Sequence, residues 1–238
     1  SLSLMTKKPN GYILWEGASP LDGAPLVLIA TGFAKSSENG KTGDMIQTWI
    51  LRQDIHPVEA FKGEGGYSNC GDCVHRLLQT CYVNWGQAPT SIWQAYRRGS
   101  YELIPSWELF IDRMMRVGSA GDPAMVPAYI WHAALEHAKG HTGYTHQWRE
   151  PFAHQLKGIV QASCDGFQDY LDATAHGWKP FLVKAESDPT PDGAVHCPSS
   201  KEMGRKTDCA SCALCDGGSA PVVINAHGRS GSRVALIN

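Results

Sequence analysis

The chain has 238 residues, 42% of them hydrophobic and 18% charged, which is enough for one sizeable core and short for two ordinary domains. A net charge of −2 and a pI near 6.5 supply no basic field of the kind that advertises nucleic-acid binding. No stretch approaches the roughly 18–20 consecutive apolar residues of a membrane span, so no membrane partner is expected.

Ser1 to Leu4 read as a vector-derived scar ahead of Met5, and residues 5–238 as a single domain. Lys7 and Lys8 follow with no apolar run behind them, so no secretory leader is expected. The expected setting is a reducing cytoplasm, where cysteines act as thiolate ligands or buried apolar groups rather than as disulfides.

Apolar, β-branched runs alternate with helix-like segments along the chain. Residues 26–32 read as a buried strand ending at Gly32, and residues 45–53 as a helix with Ile46, Trp49 and Ile50 on one face. Residues 81–85 form a second strand candidate, followed by helices over 92–98 and 107–115. A third strand opens at Arg116 and runs into the loop carrying Asp122. A helix over 126–139 places Val126, Ile130, Ala133 and His137 on one stripe, so His132 and His137 read as structural. Strands over 143–148 and 158–163 follow. Asp165 with Gln168 then resembles a capping box before a helix over 167–176. Residues 181–184, the neighbourhood of Val195, and 222–225 complete the set.

About eight β/α repeats with strands buried on both faces predict an α/β fold with a parallel sheet. In a chain of this length, a (β/α)8-like or partly closed barrel fits best, with a doubly wound open sheet as the alternative. A cysteine-rich insert spans about residues 195–217.

That insert carries the strongest motif. Cys197-Pro198 precedes Cys209-x2-Cys212-x2-Cys215, so four thiols fall within nineteen positions. A Cys-x2-Cys-x2-Cys loop with a remote Cys-Pro suits the corners of a [4Fe–4S] cubane. Zinc is the alternative, although structural zinc sites usually use two separated knuckles, and here the knuckles share Cys212.

Cys70-x2-Cys73-x7-Cys81 forms a second set. Three thiolates would leave one iron of a cubane open to a substrate or cofactor, whereas a fourth ligand, Cys164 or His75, would close the site. The cofactor expected is thus one or two [4Fe–4S] clusters, or zinc. The standard Cys-x3-Cys-x2-Cys spacing of radical-SAM enzymes is absent. Lys35 stands where a phosphate loop ending at Gly40-Lys41-Thr42 would need glycine, so no nucleotide motif is read there.

Polar residues at strand C-termini mark an active edge: Asn84, Asp122, Tyr144, His146, Asp165, Lys184 and His227. Tyr144 and His146 alternate on one strand and so share a face, placed for proton transfer together with Asp122.

The string Cys70-x2-Cys73…Cys81-Tyr82, Gly121-Asp122, Tyr144-Thr-His146, Cys197-Pro198…Cys209-x2-Cys212-x2-Cys215 and His227-Gly228 resembles a family of uncharacterised bacteriophage and prophage proteins. The resemblance runs from about Leu26 to Gly228 and implies a viral protein made inside a bacterium. Members usually carry Cys-Pro where this chain has Cys70-Gly71, and serine where Cys164 stands. The function expected is an iron–sulfur protein, either a cluster-dependent enzyme of non-standard radical-SAM-like type or a redox carrier with two closed clusters. The alternative is a metal-braced module that binds nucleic acid or a partner, and the substrate is an unidentified small molecule or nucleic acid.

Overall fold

A computed structural model of the chain describes residues 7–34, 44–71, 73, 83–204 and 207–226. It is an α/β protein built on one sheet, whose described strands run in the order β1-β2-β3-β4-β5-β6-β7-β9-β8. The strands are β1 Gly11–Ala18, β2 Pro25–Thr31, β3 Met45–Arg52, β4 Met114–Ala120, β5 Gly140–Thr145, β6 Gln161–Cys164, β7 Pro180–Lys184, β8 Val195–His196 and β9 Val222–Asn225. Pairing is antiparallel from β1 through β3 and parallel from β3 onward. Among the described strands, hydrogen bonding does not close the sheet into a barrel.

Residues 45–53 are strand β3 rather than a helix. Met45, Ile46, Ile50 and Leu51 are all buried because β3 lies inside the sheet between β2 and β4. A strand covered on both faces loses its period of two, and its apolar positions can then imitate helical spacing. Residues 107–115 are not one helix either. A single 3₁₀ turn, Trp107–Phe110, gives way to β4, and between them Asp112 takes φ 60°, which no right-handed helix accepts. In the span 81–85, Cys81 and Tyr82 lie outside the described residues. Val83 and Asn84 are irregular and Trp85 begins a turn, with Asn84 Oδ1 accepting from Gly86 N at 3.2 Å. Strand β1 has no counterpart in the sequence-based elements.

The helices are α1 Pro57–Lys62, α2 Tyr67–Cys70, α3 Ala88–Arg97, α4 Ala128–Leu135, α5 Phe167–Ala175 and α6 Cys209–Cys212. The main core covers one face of the sheet, where Ile46, Ile50, Met115, Val117, Ala162, Cys164, Leu182 and Val223 meet Ile130, Trp131 and Ala134 of α4 and Tyr170 and Ala173 of α5. The crossovers after β4 and β6 therefore pack helices on the same face. The opposite face is covered in two halves. Ile92 of α3 with Trp85 lies over Val27, Ile29 and Leu51, and the cysteine-rich segment lies over Phe181 and Val222.

A candidate metal and active site at one strand end

The parallel strands end at one edge, and Asp122, His146 and Asp165 follow three adjacent ones, β4, β5 and β6. In open α/β sheets this carboxyl edge is where ligands bind. Asp122 holds the edge together. Its carboxylate accepts from Thr145 Oγ1 at 2.7 Å, His146 N at 2.8 Å and Ala124 N at 2.9 Å, while its own amide donates to Asn69 O at 2.7 Å. Burial pushes its carboxyl above the ordinary range, and these donors work against the push.

The chain from α2 reaches the same edge. Gln147 Nε2 donates to Cys70 O at 3.2 Å, and Gly71 (φ 61°) turns so close to the Gln147 side chain that a Cβ would collide with it. The turn brings Cys73 to His146. Burial opposes a charge on the His146 ring, but Cys73, through its field and a hydrogen bond, and then Asp165 and Asp122 outweigh it and push the ring up to about 9. Cys81, His75 and His227 lie outside the described residues.

The second cysteine group sits on the sheet face below this edge. Asp208 Oδ1 caps α6 by accepting from Ser211 N at 2.8 Å, and Ala213 adopts φ 50°, so the chain reverses between Cys212 and Cys215. Three contacts then pin the segment to the strands: Gly143 N donates to Cys215 O at 2.9 Å, Gly217 N to Gln161 Oε1 at 2.8 Å, and Gln161 Nε2 to Ala220 O at 2.9 Å. Cys197 arrives from the other side, its amide donating to Val223 O at 2.9 Å.

Cys197, Cys209 and Cys215 are buried and Cys212 is partly exposed. Burial pushes the Cys215 thiol up to about 12; a hydrogen bond from Tyr144 opposes this, and the fields of Cys197, Cys209 and Cys212 add to it. The four thiols thus share one electrostatic neighbourhood. Among the described residues, no three His, Cys, Asp or Glu side chains converge in the geometry of a finished metal cage. What the fold supplies is four soft donors in one neighbourhood, three of them buried, of the residue type that Fe–S and zinc sites use.

Tyr144 lies against this group. Its ring packs on Phe181 at 4.7 Å, and burial, then Cys215, hold its hydroxyl well above the ordinary range. Tyr144 and His146 therefore face different cysteine groups. Cys164 points into the main core, 1% exposed, with its thiol directed at Ala162 O at 3.3 Å and pushed up by burial, as a small buried hydrophobe. Asp165 does not cap α5, whose N-cap is Gly166 with no side-chain bond. Lys184 is buried, its Nζ donating to Asp188 O at 3.0 Å. His132 is exposed on α4.

Sequence reasoning missed Arg116, Gln147 and Gln161. Arg116 had a visible signal: a charged residue inside the apolar run Met114-Met115-Arg116-Val117. Comparison with protein-family models, with curated proteins and with solved structures returns no match.

Proposed function

We propose that this chain is an iron–sulfur protein. Cys197, Cys209, Cys212 and Cys215 hold one cluster on the sheet face, and Cys70, Cys73 and Cys81 serve a second at the carboxyl edge, where Asp122 and His146 handle protons and Tyr144 stands between the two groups. The observation that carries this reading is the neighbourhood of Cys215, whose thiol lies in the fields of Cys197, Cys209 and Cys212. Thiolates so placed need a cation between them, and the Cys-x2-Cys-x2-Cys loop suits a cubane better than a single zinc ion. A cluster with three thiolates supplies an iron open to a substrate or to S-adenosylmethionine.

The winding of the sheet supports the enzyme reading. Strands β3 to β7 neighbour one another in chain order with no reversal, as in a barrel segment, and their carboxyl ends carry Asp122, His146 and Asp165. The partly closed barrel remains the finer reading of this architecture. Among the described residues no helix is long and apolar enough to cross a membrane.

The test is iron, zinc and acid-labile sulfide per chain on anaerobically purified protein, with low-temperature EPR after dithionite reduction. About eight irons with matching sulfide supports two cubanes. About four supports the Cys197–Cys215 centre alone. Zinc without sulfide overturns the proposal in favour of a metal-braced binding module, for which a salt-dependent shift of labelled DNA is the next assay.

A further inference from the structure

Arg116 is only 9% exposed although it lies in the middle of the sheet. It projects from β4 on the face shared with Tyr144, and its Cζ stands 5.8 Å from the centroid of the Tyr144 ring. Thr48 Oγ1 donates to Arg116 O at 2.6 Å and fixes its backbone inside the ladder. A guanidinium keeps its charge at any accessible pH, and burying one is costly unless negative charge lies nearby. Tyr144 lies in the fields of Cys215, Arg116 and Cys209, and its hydroxyl is hydrogen-bonded to Cys215. Arg116 thus lies against the Tyr144 ring, whose hydroxyl reaches Cys215.

We propose that Tyr144 and Arg116 are positioning residues that set the electron affinity of the centre held by Cys197, Cys209, Cys212 and Cys215. This rests on the iron–sulfur reading above and deepens it. The Tyr144 hydroxyl donates to the Cys215 sulfur, and the Arg116 charge lies behind the ring. Both favour the more negative, reduced state of a thiolate-held cluster. Hydrogen bonds to ligand sulfurs and local charge are among the factors that tune such potentials. Neither residue supplies a ligand, so the centre assembles without them.

The experiment is an anaerobic, EPR-monitored redox titration of the full chain as wild type, Tyr144→Phe, Arg116→Gln and Arg116→Lys, with iron and sulfide measured on each sample. Tyr144→Phe keeps the ring against Phe181 and removes only the donor, so its midpoint falls while cluster content is unchanged. Arg116→Gln also lowers the midpoint, and Arg116→Lys, which keeps the charge, restores most of it. A purely structural role for Arg116 would make Lys and Gln equivalent. If a variant loses its cluster, the others decide the matter. Fully loaded Tyr144→Phe and Arg116→Gln proteins with the wild-type midpoint overturn the inference and leave the iron–sulfur reading standing. Wild-type protein without iron and sulfide overturns both.

Discussion

Tyr144 and His146 stand two residues apart at the end of β5, and each is hydrogen-bonded to a cysteine of a different group, Tyr144 to Cys215 and His146 to Cys73. Tyr144 lies inside β5 and His146 is the first residue beyond it, where the alternation of the strand ends, so the two side chains reach different cysteine groups. Cys73 and Cys215, 142 positions apart in the chain, thereby find partners two residues apart.

Metal-free protein in reducing buffer carries a stability term from His146. Its folded-state pKa of about 9 lies above the unfolded 6.5, so the contribution is fully present below the unfolded value and lost as pH rises through the folded one. Partial exposure and the coupled Cys73 reduce its size to about 1–3 kcal/mol. Urea unfolding at stepped pH should show the gap between wild type and His146→Gln shrinking as the buffer becomes alkaline. A constant gap contradicts the assignment.

Asp122→Ala removes the acceptor of three hydrogen bonds, strands the buried Thr145 hydroxyl and frees the backbone of His146. The expected cost is about 2–4 kcal/mol. Because burial raises the Asp122 pKa, the ionised carboxylate is disfavoured in the fold, and its own contribution weakens as pH rises above the unfolded value. The loss of stability in Asp122→Ala should therefore be larger at mildly acidic pH than at neutral pH, by equilibrium unfolding.

Cys164 and Cys215 are both buried, yet substitution separates them. Cys164→Ala leaves a small cavity in the main core, costs about 1 kcal/mol, and leaves iron content at the wild-type level. Cys215→Ala abolishes the C-terminal centre. Equal iron in the two variants would remove Cys215 from the ligand set.

Gly217 (φ 84°) lies so close to the backbone of Ile159 and Val160 that a Cβ would collide with both. Gly217→Ala should lift the segment from β6 and break the bond from Gly217 N to Gln161 Oε1. Extraction of metal by a chelator should then be at least several-fold faster, with the four cysteines intact. An unchanged extraction rate would show that the anchor does not hold the centre.

The parallel strands were legible where short apolar runs end at turn residues, as at Phe181 to Lys184 and Val222 to Asn225. The reading failed at β3, because burial on both faces erased the alternation, and at residues 107–115, where Asp112 breaks a helical pattern through its backbone rather than its side-chain chemistry. The site was legible as residue types. Asp122, Tyr144 and His146 stood out as polar groups where strands stop, but their partners did not, since a hydrogen bond across 77 positions, such as Gln147 to Cys70, leaves no local trace.

By itself the sequence determined the α/β class, the two cysteine sets and the strand ends that could carry chemistry, because these depend on periodicity and spacing along the chain. Only the tertiary structure decided that Cys164 belongs to the core, that Arg116 lies behind Tyr144, and that Asp122 ties β4 to β5. Those outcomes turn on which face of the sheet a residue occupies and what crosses over it, and a one-residue shift in register would reverse each of them.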